Sequence, residues 1–245
     1  MTDDRWLRRY HPVEHAAARL VCLPHAGGGA SFFHSLSQEI SPAADVVVVQ
    51  YPGRQDRLSE PPLYSVAELA DKVTQALLPR LDLPIVLFGH SMGATVGYEV
   101  ARRLEARGIA AHALVVSGRR APSRLVKETT HLLDDDALLA KVGKLGGTDP
   151  QVLRDPELRS MVLPALRADY TAIGTYQPDN EGLLTTPIHA HTGTEDDHAP
   201  VDDVRAWAGH TTGGSSLETY PGGHFYLIQQ TTALATWLRR LLAQV

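Results

Sequence analysis

Gly89-His90-Ser91-Met92-Gly93 stands directly behind the apolar run Pro84-Ile85-Val86-Leu87-Phe88. A G-x-S-x-G pentapeptide takes its meaning from such a context. A buried strand enters, a helix leaves, and the sharp turn between them lifts a serine hydroxyl above the end of a sheet, where it can attack a carbonyl carbon. Gly89 and Gly93 suit that turn, because a Cβ at either would crowd the strained backbone or the adjoining elements. A serine at neutral pH needs a base, and the base needs an orienting carboxylate. Around a turn of this kind the partners follow in the order Ser, then Asp or Glu, then His. Asp196 lies in Gly193-Thr194-Glu195-Asp196-Asp197, behind the strand-like stretch 187–192. His224 lies in Pro221-Gly222-Gly223-His224-Phe225, behind the strand-like stretch 216–220. Both sit where active sites of open α/β sheets lie, at the carboxyl ends of strands.

The chain has twelve histidines, so a histidine alone signals little; His224 stands out because Gly222 and Gly223 allow a close backbone approach just after the last strand. Asp197 competes with Asp196, which is preferred because Gly193-x-x-Asp196 makes a tight turn off the strand and Ala199-Pro200 then opens a helix. A tetrahedral intermediate needs N–H donors for its oxyanion. One is expected from Met92, the residue after the nucleophile. The other is expected from the glycine-rich loop Pro24-His25-Ala26-Gly27-Gly28-Gly29, with Ala26 as the candidate. That loop matches neither G-x-G-x-x-G nor the Walker pattern, which argues against a nucleotide site. His189 and His191 share one strand face, but no third ligand has metal-site spacing, so they read as ordinary strand histidines. His90 reads as a packing residue rather than a second base.

These groups must be positioned by a fold, and the pattern names one. Short β-branched runs at 19–23, 45–51, 84–88, 113–117, 187–192 and 216–220 alternate with longer amphipathic stretches. That is the signature of an α/β fold with a mostly parallel central sheet flanked by helices. Helices are expected at about 66–78, opened by the capping box Ser65-x-x-Glu68 and stopped by Pro79, and at 91–106, 200–208 and 226–243. The last carries Leu227, Leu234, Trp237, Leu238, Leu241 and Leu242 on one stripe. The stretch 121–184 breaks the alternation. It reads as helices alone, with Asp149-Pro150 and Asp155-Pro156 each pairing an N-cap with a proline at the first helical position. Its place between the fourth and fifth strands suggests a lid over the active site, on a single domain spanning 1–245.

Composition bounds the rest. The chain has 245 residues, 43% of them hydrophobic, enough for one sizeable core. A net charge of −5 and the lack of a long Lys/Arg run argue against nucleic acid. The single cysteine, Cys22, excludes an intrachain disulfide, fits a reducing cytosol and reads as a buried strand thiol. No apolar signal core opens the chain, and runs such as Val46-Val47-Val48-Val49 are too short to span a bilayer. A cytoplasmic protein, monomeric and without membrane contact, is expected.

Several segments together resemble the stand-alone type II thioesterases of polyketide synthase and nonribosomal peptide synthetase pathways, members of the α/β-hydrolase superfamily. Pro24-His25-Ala26-Gly27-Gly28-Gly29-Ala30-Ser31 is similar to the family's oxyanion loop, and Tyr51-Pro52-Gly53-Arg54-Gln55-Asp56-Arg57 to its segment after the next strand. Ser117-Gly118-Arg119-Arg120-Ala121-Pro122 is similar to its lid entry, and Tyr220-Pro221-Gly222-Gly223-His224-Phe225 to its histidine loop. The family commonly has Gly-Asp-x-Asp before its acid. Here Thr194 replaces the first Asp, which keeps the Gly193-x-x-Asp196 frame and leaves Asp197 as an alternative.

The resemblance implies hydrolysis of acyl groups from the phosphopantetheine arm of acyl or peptidyl carrier proteins, clearing aberrant or stalled units. Ser91, His224 and Asp196 would be the triad, with no metal or redox cofactor required. Carrier proteins are generally acidic, which makes Arg119, Arg120 and Arg124, with Lys127 and the loop residues Arg54 and Arg57, a candidate docking patch. Met161, Leu163, Leu166 and Tyr170 are candidates to line an acyl chamber. A general esterase, an acyltransferase with the same catalytic residues, and a carrier-binding scaffold that has lost catalysis are the competing readings. The intact triad argues against the last.

Overall fold

A computed structural model describes residues 4–147, 155–178 and 182–245. Seven strands form one sheet: β1 (Leu7–Arg8), β2 (Arg19–Leu23), β3 (Asp45–Val49), β4 (Ile85–His90), β5 (Ala113–Ser117), β6 (Ile188–Gly193) and β7 (Ser215–Tyr220). Their order is β1-β3-β2-β4-β5-β6-β7, parallel throughout except for β1 against β3. The six expected strands are all present. β1 was not legible, because two residues carry no periodicity.

The central strands are buried on both faces, and their side chains alternate between two layers. Val21, Leu23, Val47, Val49, Leu87, Leu114 and Val116 point into one layer. It is closed by α2 (Val66–Leu77) and α3 (Met92–Glu105) through Leu69, Val73, Val96 and Val100. Leu20, Cys22, Val46, Val48, Val86, Phe88 and Val115 point into the other, closed by α1 (His34–Ile40) and the C-terminal helix. Each leucine or valine so buried contributes roughly 1.5–3 kcal/mol. The strands are thereby fixed as a rigid platform whose carboxyl ends carry the functional loops.

Helix boundaries follow local chemistry. The Ser65 hydroxyl accepts from Glu68 N–H at 3.4 Å and opens α2, which gives way to a 3-10 turn, Leu78–Arg80, around Pro79. The expected C-terminal helix is two helices, α7 (Tyr226–Gln229) and α8 (Thr231–Leu242). At the break, Thr231 Oγ1 donates to the carbonyls of Leu227 and Ile228, competing with the backbone ladder. The helix expected at 200–208 is a short α6 (Val201–Arg205) followed by the 3-10 turn Ala206–His210.

Between β5 and β6 the described residues include α4 (Asp135–Leu145) and α5 (Pro156–Gly174) and no strand of the sheet. Asp155 caps α5 by accepting from the N–H groups of Glu157 and Leu158, with Pro156 at the first turn, as its sequence implied. The Asp149-Pro150 start lies outside the described residues. Leu138, Leu139, Val142 and Leu166 form a small apolar cluster between α4 and α5. Farther along α5, Ala172 and Ile173 join the layer of the main sheet.

Candidate active site

Ser91 occupies the turn between β4 and α3 with φ 55° and ψ −117°, a conformation that L-residues rarely adopt. The fold imposes it. Ser91 N donates to Ser117 O at 2.8 Å, and Ala94 N donates to Ser91 O at 3.0 Å. A Cβ on Gly89 would overlap the Gly93 carbonyl, and one on Gly93 would overlap the carbonyls of Leu23 and Pro24. The turn therefore closes only with glycine at both places.

The acid and the base converge on this serine. His224 Nε2 lies 3.0 Å from Ser91 Oγ, and His224 Nδ1 lies 2.8 Å from Asp196 Oδ2. Asp196 Oδ1 accepts from the N–H groups of His198 and Ala199 at 2.8 and 3.1 Å. Burial alone would raise the Asp196 carboxyl, but the His224 hydrogen bond and charge and these two backbone donors hold it below its ordinary value. An ionised Asp196 places the imidazole proton on Nδ1 and leaves Nε2 to accept from the Ser91 hydroxyl. Asp197 is exposed, and its carbonyl accepts from Arg120. The two loops that bring acid and base together touch directly: Glu195 N donates to Gly222 O at 3.0 Å, and Gly222 has φ 117°.

Behind the imidazole, His90 Nδ1 lies 2.9 Å from Ser117 Oγ, which lies 2.7 Å from the Tyr226 hydroxyl. Burial, then the charges of His224 and His25, push His90 well below the usual histidine range. It is a neutral wall for His224, whose ring is 5.1 Å away, as expected of a packing residue.

The glycine-rich loop after β2 closes a turn through Gly28 N donating to His25 O at 2.9 Å. His25 is buried against Phe32 and Phe225; burial first, then the charges of His224 and Arg54, lower its pKa to about 3. Ala26, Ser91, Met92 and His224 line one cavity of about 210 Å³, whose walls also include Tyr170 and Ile173 of α5, Lys141 and Leu145 of α4, the segment 126–130, and Arg119, Arg120, Asp197 and His198 from the strand-end loops. A preformed pocket beside a serine, an imidazole and two candidate amide donors is arranged for acyl transfer.

The docking expectation for Arg54 and Arg57 and the acyl-chamber expectation for Met161, Leu163 and Leu166 are corrected. Arg54 and Arg57 are buried rather than available for docking. Arg54 pairs with Asp169 at 2.5 Å, and Arg57 with Glu60 at 2.6 Å. Arg119 is held by Glu128 at 2.7 Å and donates to Thr95, while Arg120 is paired with Asp203 and donates to His198 O. Arg124 and Lys127 are exposed. Of the four residues suggested for an acyl chamber, only Tyr170 lines the cavity; Leu166 and Leu163 serve the α4–α5 cluster, and Met161 faces solvent. His189 and His191 have other partners: His189 Nδ1 lies 2.9 Å from Ser216 Oγ and His191 Nδ1 lies 3.2 Å from the Tyr220 hydroxyl, both rings against Trp237. Cys22 is buried, and burial pushes its thiol up. Among the described residues, no group of three or more His, Cys, Asp or Glu side chains could hold a metal ion, and no helix is long and apolar enough to cross a membrane.

Sequence reasoning missed Asp169. Its side chain is fully buried, accepting from Gly27 N–H at 2.7 Å and from both terminal nitrogens of Arg54. The available signal was a lone carboxylate three residues after Leu166 and four before Ile173, on the apolar stripe of a helix.

Comparison with known proteins agrees with this geometry. The family model of the thioesterase domain matches residues 18–242. Thioesterase PikA5 of Streptomyces venezuelae is 50% identical over 92% of this chain and 81% of its own length. A probable cadicidin biosynthesis thioesterase of Streptomyces griseus is 46% identical over 98% and 67%. Among solved structures, the type II thioesterase BorB from the borrelidin biosynthetic cluster superposes with a TM-score of 0.92 at 46% identity, covering 99% of both chains. In sequence from residue 18 to 242, and in the sheet that carries Ser91, this chain belongs to the thioesterase domain family.

Proposed function

We propose that this chain is an editing thioesterase that uses Ser91, His224 and Asp196 to hydrolyse acyl groups from the phosphopantetheine arm of acyl or peptidyl carrier proteins, clearing stalled or aberrant units from a polyketide or nonribosomal peptide assembly line. The observation that carries this reading is the unbroken hydrogen-bonded line from Ser91 Oγ through His224 to Asp196 beside a preformed cavity. The relatives' names, which place them in such biosynthetic pathways, support the substrate class.

His224 Nε2 takes the Ser91 proton as Oγ adds to the thioester carbonyl. The oxyanion is received by the N–H groups of Met92 and Ala26. Met92 is the first residue of α3, whose N-terminal dipole adds to the stabilisation. Collapse breaks the C–S bond, and His224 gives its proton to the departing thiolate of the arm. Water, deprotonated by His224, then attacks the acyl-serine and releases the free acid and Ser91. Asp196 holds the imidazole tautomer through both halves. The helices between β5 and β6 act as a lid that forms the acyl cavity and limits water.

The test is single-turnover loss of an acetyl or propionyl group from a loaded carrier protein, followed by intact-protein mass spectrometry. Wild type is expected to release free acid, and Ser91→Ala to fall by on the order of 10⁶ in kcat. Release from a small activated ester but not from the carrier would overturn the carrier assignment and leave a general esterase. Transfer to a non-water acceptor would identify an acyltransferase.

A further inference from the structure

We propose that Asp169, on α5, is a positioning residue for the oxyanion loop, so that the hole is complete only while α5 is seated on the sheet. The proposal rests on the acyl-serine reading above and extends it.

The contacts define the role. Asp169 Oδ2 accepts from Gly27 N–H at 2.7 Å and from Arg54 Nη1 at 2.5 Å, and Oδ1 accepts from Arg54 Nη2 at 3.0 Å. Arg54 in turn donates to Gly28 O at 3.4 Å. One carboxylate on the helical insertion thus grips the loops after both β2 and β3. Within the turn closed by His25 O and Gly28 N, Gly27 has φ 76° and Ala26 has no positive φ, the pattern of a type II turn. In that turn the central Ala26–Gly27 peptide is rotated over relative to the commoner type I form. Its N–H belongs to Gly27 and is the group Asp169 holds. With that peptide plane fixed on one side and the His25 carbonyl fixed on the other, Ala26 is restrained at both its dihedrals and its own N–H has one direction. Ala26 lines the cavity beside Ser91.

Stability alone does not account for this arrangement, because a buried ion pair is often no more stabilising than a well-packed apolar pair of similar size. A fixed donor direction does account for it, because preorganised donors need no reorganisation as charge develops. Asp169 also stands at a junction, with Leu166 in the α4–α5 cluster on one side of it and Ala172 and Ile173 in the sheet layer on the other.

The test compares two double variants that leave no unpaired buried charge. Asp169→Leu with Arg54→Met removes the acceptor. It is expected to fold, to lose about 10- to 100-fold in kcat with KM within about twofold, and to lose affinity for a trifluoromethyl ketone thioester analogue by the same factor. Asp169→Asn with Arg54→Gln keeps an amide oxygen for Gly27 N–H and is expected to return kcat to within several-fold of wild type. Wild-type kcat in the Leu/Met variant, or a kcat loss with unchanged inhibitor affinity, overturns the proposal. An arm on wild type needs no variant: the Gly27 amide is expected to exchange with deuterium as slowly as the core amides of α5, and loop-like fast exchange overturns the proposal. If wild type releases no acyl group from any thioester, the functional reading falls while the Gly27 exchange still decides the Asp169 contact.

Discussion

Asp196 Oδ2 lies 2.8 Å from His224 Nδ1, while the neighbouring Asp197 is exposed on the cavity wall and makes no hydrogen bond to that imidazole. Two adjacent carboxylates of the same type are separated in role by the tight turn that starts at Gly193, where Asp196 N donates to Gly193 O at 3.2 Å. Asp196→Asn is expected to lower kcat by about 10⁴, because an amide at that place favours the wrong imidazole tautomer. Asp197→Asn is expected to stay within about twofold of wild type. Steady-state hydrolysis of a small acyl thioester by both variants checks the assignment, and the reverse ranking overturns it.

The nucleophile turn predicts a sharp steric contrast between two glycines. Gly93→Ala forces a Cβ against backbone carbonyls of Leu23 and Pro24, which cannot move aside without tearing β2 from β4. A loss of at least about 3 kcal/mol is expected, in the range of severe core overpacking. Gly209→Ala puts its Cβ in open space at an ordinary φ and is expected to change stability by less than about 0.5 kcal/mol. Urea denaturation of the two variants measures both.

The surface charges divide into two classes with different expected outcomes. Arg119→Glu and Arg120→Glu each break an internal ion pair and set like charges together, with Glu128 and Asp203 respectively, so both are expected to lower the melting temperature. Arg124→Glu and Lys127→Glu alter exposed groups, Lys127 on the cavity wall. On the carrier-docking reading these two raise KM for an acyl-carrier substrate several-fold, more at low salt, and leave a small thioester unaffected. Unchanged carrier kinetics in the Arg124→Glu/Lys127→Glu variant would remove this patch from the docking surface.

His191 links stability to pH at a distance from the triad. Burial, then the charge of His189, lowers its pKa to about 3, against about 6.5 in an unfolded chain. The unfolded state therefore binds the extra proton between those values. This contribution to stability is intact above about pH 6.5 and is lost progressively as pH falls toward 3. Between pH 7 and pH 5 the loss from this one site is on the order of 2 kcal/mol. His191→Gln cannot take up that proton when unfolded, so its unfolding free energy is expected to fall less over the same interval, by roughly that amount. Equal pH dependence in the two proteins would refute the assignment.

Much of the site was legible because its chemistry is local. G-x-S-x-G behind an apolar strand, Gly193-x-x-Asp196 and Gly222-Gly223-His224 each announce a loop whose backbone demands are met by a few neighbouring residues. The strands were legible for the same reason: burial on both faces leaves unbroken aliphatic runs such as Val46 to Val49. Errors arose where the deciding partner is far along the chain. Arg54 looked like a surface cation on a strand-end loop until Asp169, 115 residues later, arrived to neutralise it. Arg57 looked equally free, yet the fold buries its side chain, where it donates to the carbonyl of Gln50 and pairs with Glu60.

By itself the sequence determined the layered α/β sheet, the serine turn and the identity of the three groups that meet there, because hydrophobic period and glycine placement act over a few residues. Only the tertiary structure decided which charges are buried, which of the helical residues face the cavity and how the oxyanion loop is held. Those outcomes depend on Coulomb pairing and desolvation between groups brought within about 3 Å by the packing of the whole chain, and no local pattern encodes such distances.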